Sequence, residues 1–300
     1  MIIKGDNFSQ KTFTTLVCLF FLLLQVSCRS ISDRGKGPLI VASAGKIISL
    51  DPAQASTFDA LQILTALGDP LYRLKNDGTL EPQLANGLPI LSDDGLTILI
   101  PLRKDVLFHD GTPFDAQSMV FSISRFMKIG ILNYVLGGRI SSVESAGKHL
   151  LKLTLNQPST SLNGLLTSIS LTPVSPSAYK DYKNKFLNNK FIGTGPYKLK
   201  SFHEQQQRLE PFDSYWGTAA QNPGIDFIKL TNSSSLFGAI RSGEIDVLLS
   251  NSIDADHRLA LTKLAKNQQI IEGIGPALEV GYITFQTNTP PLNQLLLRQA

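Results

Sequence analysis

The chain has 300 residues, 42% hydrophobic and 17% charged, with a net charge of +4. That is enough apolar material for a sizeable core, and the length suggests two domains. The composition excludes collagen-like, coiled-coil and disordered classes. Its 28 Lys and Arg are dispersed without a basic stripe, so it gives no support to nucleic-acid binding.

In chain order, Lys4 and Lys11 come first, ahead of an unbroken apolar run from Leu16 to Leu24. This run is too short to cross a bilayer, which needs about 20 residues. A basic start, a short apolar run and small residues after it predict a secretory signal over residues 1–27. Leu24-Gln25-Val26-Ser27-Cys28 resembles a bacterial lipobox, with Gln25 standing where an aliphatic residue is usual. Cys28 is therefore the expected lipidation site, and residues 28–37 an expected tether. Cys18, the other cysteine, leaves with the signal, so no internal disulfide is expected.

From Pro38 onward strands and helices alternate. Leu39–Ala42 reads as a buried strand, and Thr57–Leu67 as a helix with Leu61, Leu64 and Leu67 on one side. Asn76-Asp77-Gly78 is a turn signal. Leu96, Ile98, Ile100 and Leu102 alternate as in a strand, and Pro101 argues for an edge position. Leu151, Leu153 and Leu155 make a second clear strand, while Pro158–Pro176 resists division. Tyr197–Phe202, Gln206–Phe212 and Ile225–Leu230 read as strands. A helix over Ser234–Ser242 ends at Gly243, and a strand over Ile245–Ser250 follows, a βαβ unit that implies a parallel pair. Asp254–Lys266 is helical, Leu278–Gln286 a strand, and Leu292-Asn293 opens a last helix.

The stretch Phe108-His109-Asp110-Gly111 invites a catalytic or metal reading. Local physics explains it otherwise. Asp110-Gly111 makes a tight turn after a strand over Val106–Phe108. Asp115 is placed to cap a helix starting at Ala116 by accepting the N–H of Gln117 or Ser118. Phe114 and Met119 occupy the positions of a hydrophobic staple. His149, His203 and His257 stand apart, so no metal-ligand spacing exists and no metal or cofactor is expected. Gly193-Thr194-Gly195 contains G-x-G, but Pro196 removes a donor that a phosphate cradle needs, and a strand follows. Trp216 ahead of Gly217 reads as a core anchor. There is no G-x-S-x-G, H-E-x-x-H or P-loop, so no catalytic residue is assigned.

Several separated segments nevertheless point one way. Leu50-Asp51-Pro52, Leu80-Glu81-Pro82-Gln83-Leu84-Ala85, Leu102-Arg103 with Phe108–Pro113 and Val120-Phe121-Ser122, Gly193–Tyr197, Tyr215-Trp216-Gly217, Arg241–Asp246 and Phe285–Ala300 occur in this order. Together they resemble the peptide/nickel family (family 5) of extracytoplasmic solute-binding proteins, the receptors of ABC importers. The resemblance implies an α/β fold, a periplasmic-binding-protein-like two-lobed clamshell with an inserted extra domain. It assigns residues 38–75 and 190–275 to lobe I, 76–189 to the inserted domain and 276–300 to the start of lobe II. Family members continue further, so the second lobe is expected to be incomplete and the chain a fragment or a truncated product. The resemblance places Ser56, Thr57 and Phe58, after the L-D-P segment, in the ligand cleft together with Tyr134. It implies a non-enzymatic monomer in the periplasm or on the outer face of the cytoplasmic membrane. Its partners would be a small solute, a peptide before a nickel chelate or sugar, and an ABC permease. The rival readings are a truncated non-transporting envelope protein and an envelope serine hydrolase with a triad assembled in space.

Overall fold

The computed structural model describes residues 37–75, 77–135, 139–159, 162–249, 253–273 and 286–299. Its first sheet has five strands: β1 (Leu39–Ser43), β8 (Tyr197–His203), β9 (Gln206–Pro211), β10 (Ile225–Lys229) and β11 (Val247–Leu248). β2 (Tyr72–Leu74) and β3 (Leu80–Pro82) form a hairpin. A third, antiparallel sheet joins β4 (Ile90–Leu91), β5 (Thr97–Pro101), β6 (Ile140–Gly147) and β7 (Leu150–Leu155). The principal helices are α1 (Phe58–Leu67), α2 (Ala116–Ile129), α3 (Ser233–Ser242) and α4 (Ala255–Lys266).

The five-stranded sheet has the order β11-β1-β10-β9-β8. β1 pairs in parallel with both β10 and β11, and the remaining pairs are antiparallel. Its faces are covered differently. Val41 joins Leu50, Ile63, Leu64, Leu67, Leu209 and Ile225 in one core, beside α1. Its neighbour Ala42 joins Leu236, Ala239 and Ile245 in another, beneath α3. Successive side chains point to opposite faces of a strand. A strand covered on both faces therefore reads as an unbroken apolar run, which is why Leu39–Ala42 shows no alternation.

The four-stranded sheet, order β4-β5-β7-β6, is covered on one face only. Ile98, Ile100, Leu151, Leu153 and Leu155 are buried there with Met119, Ile123 and Phe126 of α2. The clean period of two in β5 and β7 is the signature of such a half-buried sheet. Pro158–Pro176, undivided above, holds a helical turn at Leu162–Leu166 and a 3₁₀ turn at Ile169–Leu171.

Four expectations need correction. Pro101 does not mark an edge, because β5 lies between β4 and β7. It is tolerated at the last residue of the strand, where β4 pairs only with Ile98 and Leu99 and does not reach it. Val106–Phe108 is not a strand but carries a single bridge, Leu107 to Pro113. The strand predicted over Ile245–Ser250 is confined to Val247–Leu248. β10 and β11 are parallel, as the βαβ pattern requires, but β1 lies between them. The strand expected over Leu278–Gln286 lies outside the described residues except for Gln286.

Candidate functional site

The Phe108–Pro113 segment is built as a turn. Phe108 N–H donates to Thr112 O (2.8 Å), Gly111 N–H to Phe108 O (2.8 Å), and Gly111 has φ +80°. Glycine adopts that left-handed conformation without a Cβ penalty. Asp110 accepts from the Thr112 hydroxyl and from Ser175. Burial opposes ionisation of Asp110, but these hydrogen bonds outweigh it and hold its carboxyl below the ordinary range. Asp115 caps α2 by accepting Ser118 N–H (2.9 Å), and the Ser118 hydroxyl returns to Asp115 N–H (3.0 Å). Phe114 and Met119, the staple pair, are both buried.

His109 is held from both ring nitrogens. Nδ1 accepts Gly193 N–H (3.3 Å), and Nε2 lies 3.1 Å from Gly195 O. Its own N–H donates to Gly193 O (2.9 Å). The FHDG turn and the GTG segment, far apart in sequence, are therefore one local structure. Burial pushes the imidazole pKa down to about 4, against the Gly195 carbonyl, which favours the charged form. His109 is a structural pin and not a base facing solvent.

The glycines of that loop answer to packing. A Cβ on Gly195 would stand 2.5 Å from Gly68 N and 2.7 Å from Ala66 O, both main-chain atoms at the end of α1. Gly195 N–H donates to Leu67 O (2.9 Å). No phosphate cradle is formed, since these donors are used internally.

Thr194, between the two glycines, leads to a residue the sequence did not single out. Buried Asp69 accepts from the Thr194 hydroxyl (3.0 Å), the Tyr215 hydroxyl (3.0 Å) and Trp216 Nε1–H (3.1 Å). The Arg103 guanidinium lies 4.2 Å from the Trp216 ring centroid. Burial pushes the Asp69 carboxyl up, and the hydrogen bonds from Trp216, Thr194 and Tyr215 and the Arg103 charge only partly offset it. Trp216 is an anchor, as expected, but through its polar handle as well as its ring.

A second buried hub is built on the aspartate of the L-D-P segment. Asp51 and Arg125 form a bidentate ion pair (2.8 and 2.6 Å) at 0% and 5% exposure. Asp51 also accepts Ala53 N–H and Leu187 N–H, and Arg125 donates to Tyr182 O and Lys185 O. Arg125 was missed because it interrupts an apolar helix face. The readable signal is the polar stripe Ser118, Ser122, Arg125 at spacings of four and three, which places all three on one side of α2.

The expected ligand residues lie just beyond this hub. Ser56 is exposed, and Thr57 caps α1 by accepting Ala60 N–H (3.3 Å). Phe58 is 40% exposed and Tyr134 71%. Ile131 N–H donates to Ala53 O (2.8 Å), which ties the segment before Tyr134 to the one before Ser56. An apolar hollow of about 790 Å³, lined by Leu80, Leu88, Leu91, Ile98 and Leu155 among others, includes none of these four.

Ser233, Asp254 and His257 do come together, but without the geometry of a catalytic triad. Ser233 Oγ (2.8 Å) and Asp254 Oδ2 (3.0 Å) both approach the same ring nitrogen, Nδ1. A triad base uses one nitrogen for each partner. Ser233 Oγ accepts Asp254 N–H (3.1 Å), and Asp254 caps α4 through His257 N–H (2.9 Å). The trio joins the starts of α3 and α4. Among the described residues, no group of three His, Cys, Asp or Glu is arranged for a metal, and no helix is long and apolar enough to cross a membrane.

A mixed α/β sheet linked to an antiparallel α/β unit is the architecture of the periplasmic-binding-protein class. The family model for bacterial extracellular solute-binding proteins, family 5 (Middle), matches residues 79–300, and the chain belongs to that family. It is 26% identical over 268 residues to the glutathione-binding protein GsiB of Salmonella paratyphi A, covering 87% of this chain and 51% of that protein. Two solved structures share its fold. The periplasmic binding protein DppA from Helicobacter pylori, in complex with peptide STSA, superposes with a TM-score of 0.67 at 24% identity, over 78% of this chain and 51% of that one. MoaA from A. tumefaciens R10, in complex with mannopinic acid, gives 0.75 at 23% identity, over 88% and 54%. The chain spans about half the length of the curated relatives it matches.

Proposed function

We propose that this chain is the solute-recognising part of a receptor for an ABC importer, and that its solute is a dipeptide or a small oligopeptide. The observation that carries the reading is the surface at the start of α1. Phe58 and Tyr134 stay exposed, on segments joined by the Ile131–Ala53 bond, while Asp51, His109 and Thr194 are engaged by internal partners. In this reading the two rings pack on the solute, and Ser56 with the Thr57 main chain supplies polar contacts. Extended peptides bind through main-chain hydrogen bonds with little side-chain selectivity. Relatives named for glutathione and solved with peptide STSA support a peptide-type solute.

The reading divides the chain into lobe I at 38–75 and 190–275, an inserted domain at 76–189 and the start of lobe II at 276–300. The solute shifts an open–closed equilibrium of the lobes toward closed, the form an ABC permease engages. Residues 1–27 direct export, and lipidated Cys28 holds a monomer at the outer face of the cytoplasmic membrane. The test is native mass spectrometry of protein purified from its own cells, followed by thermal-shift screening against defined di- and tripeptides. A co-purified peptide and a raised melting temperature are expected. No bound solute and no shift with any peptide would overturn the reading.

A further inference from the structure

We propose that the Gly193-Thr194-Gly195 loop is an acid-sensitive clasp: a neutral His109 ring holds it to the Phe108–Thr112 turn, and protonation of that ring releases it. The donors and acceptors around the ring fix its tautomer. Gly193 N–H points at Nδ1, so Nδ1 must present its lone pair. Nε2 then carries the hydrogen and donates to Gly195 O. A second proton sits on Nδ1 and sets N–H against N–H. Nδ1 and Nε2 face an N–H and a carbonyl respectively, so an imidazolium satisfies only the second.

The surroundings favour the neutral ring. Phe191 and Phe212 meet it edge-on, at centroid distances of 6.4 and 5.1 Å. The charged groups that face it are Lys198 on β8, which opposes protonation, and Asp110 on its own turn, which favours it. Across the loop stands Asp69, with Tyr215 and Arg103 beyond it, gripping Thr194 from the other side. Free histidine takes its proton near pH 6.5 and the buried ring near pH 4. Between those values folding excludes a proton that the unfolded chain binds. The clasp is therefore at full strength above about pH 6.5 and loses strength as pH falls toward 4. Release also uncouples Gly195 N–H from Leu67 O, and so loosens the C-terminal end of α1.

The chain has a single tryptophan, Trp216, and its indole N–H is bonded to the carboxylate that holds Thr194. Its fluorescence reads the clasp directly. With the whole chain, lowering pH through this window is expected to shift the emission reversibly while far-ultraviolet circular dichroism is retained. His109→Gln, whose amide offers one acceptor and one donor without titrating, is expected to lose that acid step. Asp69→Asn is expected to change the emission at neutral pH and keep the step, which separates titration of Asp69 itself from that of His109. Nitrogen-15 NMR of the wild-type ring decides the matter should His109→Gln fail to fold: an Nε2–H tautomer at neutral pH and protonation well below pH 6.5 are expected. An Nδ1–H tautomer, an ordinary titration, or an acid step unchanged in His109→Gln would overturn the clasp.

Discussion

The two ends of helix α1 are built to opposite rules. At its C-terminal end, Leu67 O is taken by Gly195, Asp69 collects three donors, and His109 pins the loop that makes these contacts. At its N-terminal end, Ser56, Phe58 and, through the Ile131–Ala53 bond, Tyr134 stand at the surface. The helix has ten residues, so roughly 15 Å separates the two regimes. Although the L-D-P segment precedes the open end, the FHDG, GTG and YWG motifs gather at the closed end. Their residues are spent on one another, and a group whose hydrogen bonds are all internal has nothing left to offer a ligand. Under the proposed function, recognition falls to the end whose large rings are left in contact with water.

The contrast breaks most sharply at Arg125, the other buried anchor of the N-terminal loop. Arg125→Ala leaves Asp51 charged and fully buried, with only the Ala53 and Leu187 N–H groups for company. Removing one partner of a buried pair costs about 3–5 kcal/mol. Urea denaturation is expected to show that loss, and Asp51→Asn combined with Arg125→Met is expected to recover part of it. A smaller loss is expected from Gly195→Ala. Here the φ of the residue is not at issue; the new methyl has main chain on two sides at 2.5 and 2.7 Å. Overpacking of this kind costs about 1–3 kcal/mol, measured by the same denaturation curve. Gly111→Ala, with open space around its Cβ, separates the two mechanisms, since only its positive φ resists.

These two sites also show what could be read from the residues alone. β5, β7 and α2 were legible because one covered face imposes a strict period, two in the strands and near 3.6 in the helix. The cap at Asp115 was legible because its partner is three residues away. Asp69 and Arg125 were not, since their partners lie up to 147 residues distant and nothing local requires them. Pro101 misled for the same reason: whether a strand has neighbours on both sides is a long-range fact. His109 was placed correctly in a turn, yet the reason for a histidine there appears only when Gly193 and Gly195 arrive against it.

Asp115→Ala tests a purely local contribution. It removes the acceptor for Ser118 N–H and one half of a reciprocal cap. A loss of about 1 kcal/mol is expected, with Asp115→Ser restoring most of it, read from the melting temperature. The cap's hydrogen bonds run between Asp115 and Ser118 and involve neither Phe58 nor Tyr134, so peptide affinity at fixed temperature is expected to stay unchanged.

The smallest effect on folding and the largest on binding are expected together, at Phe58 and Tyr134. Each ring is substantially solvated, so truncation forfeits little burial, and surface substitutions usually stay within about 0.5 kcal/mol. If the two rings pack on the solute, Phe58→Ala with Tyr134→Ala removes stacking area that is desolvated only in the complex. Aromatic anchors of an interface commonly exceed 1 kcal/mol each when truncated, so a peptide that binds the wild type should bind the double variant at least about tenfold more weakly, as calorimetry would show. The informative quantity is the ratio of the two effects. A folding loss comparable to that of Gly195→Ala would mean the rings are part of the scaffold after all. Unchanged folding with unchanged affinity would move the solute away from this end of α1 and remove the functional half of the contrast.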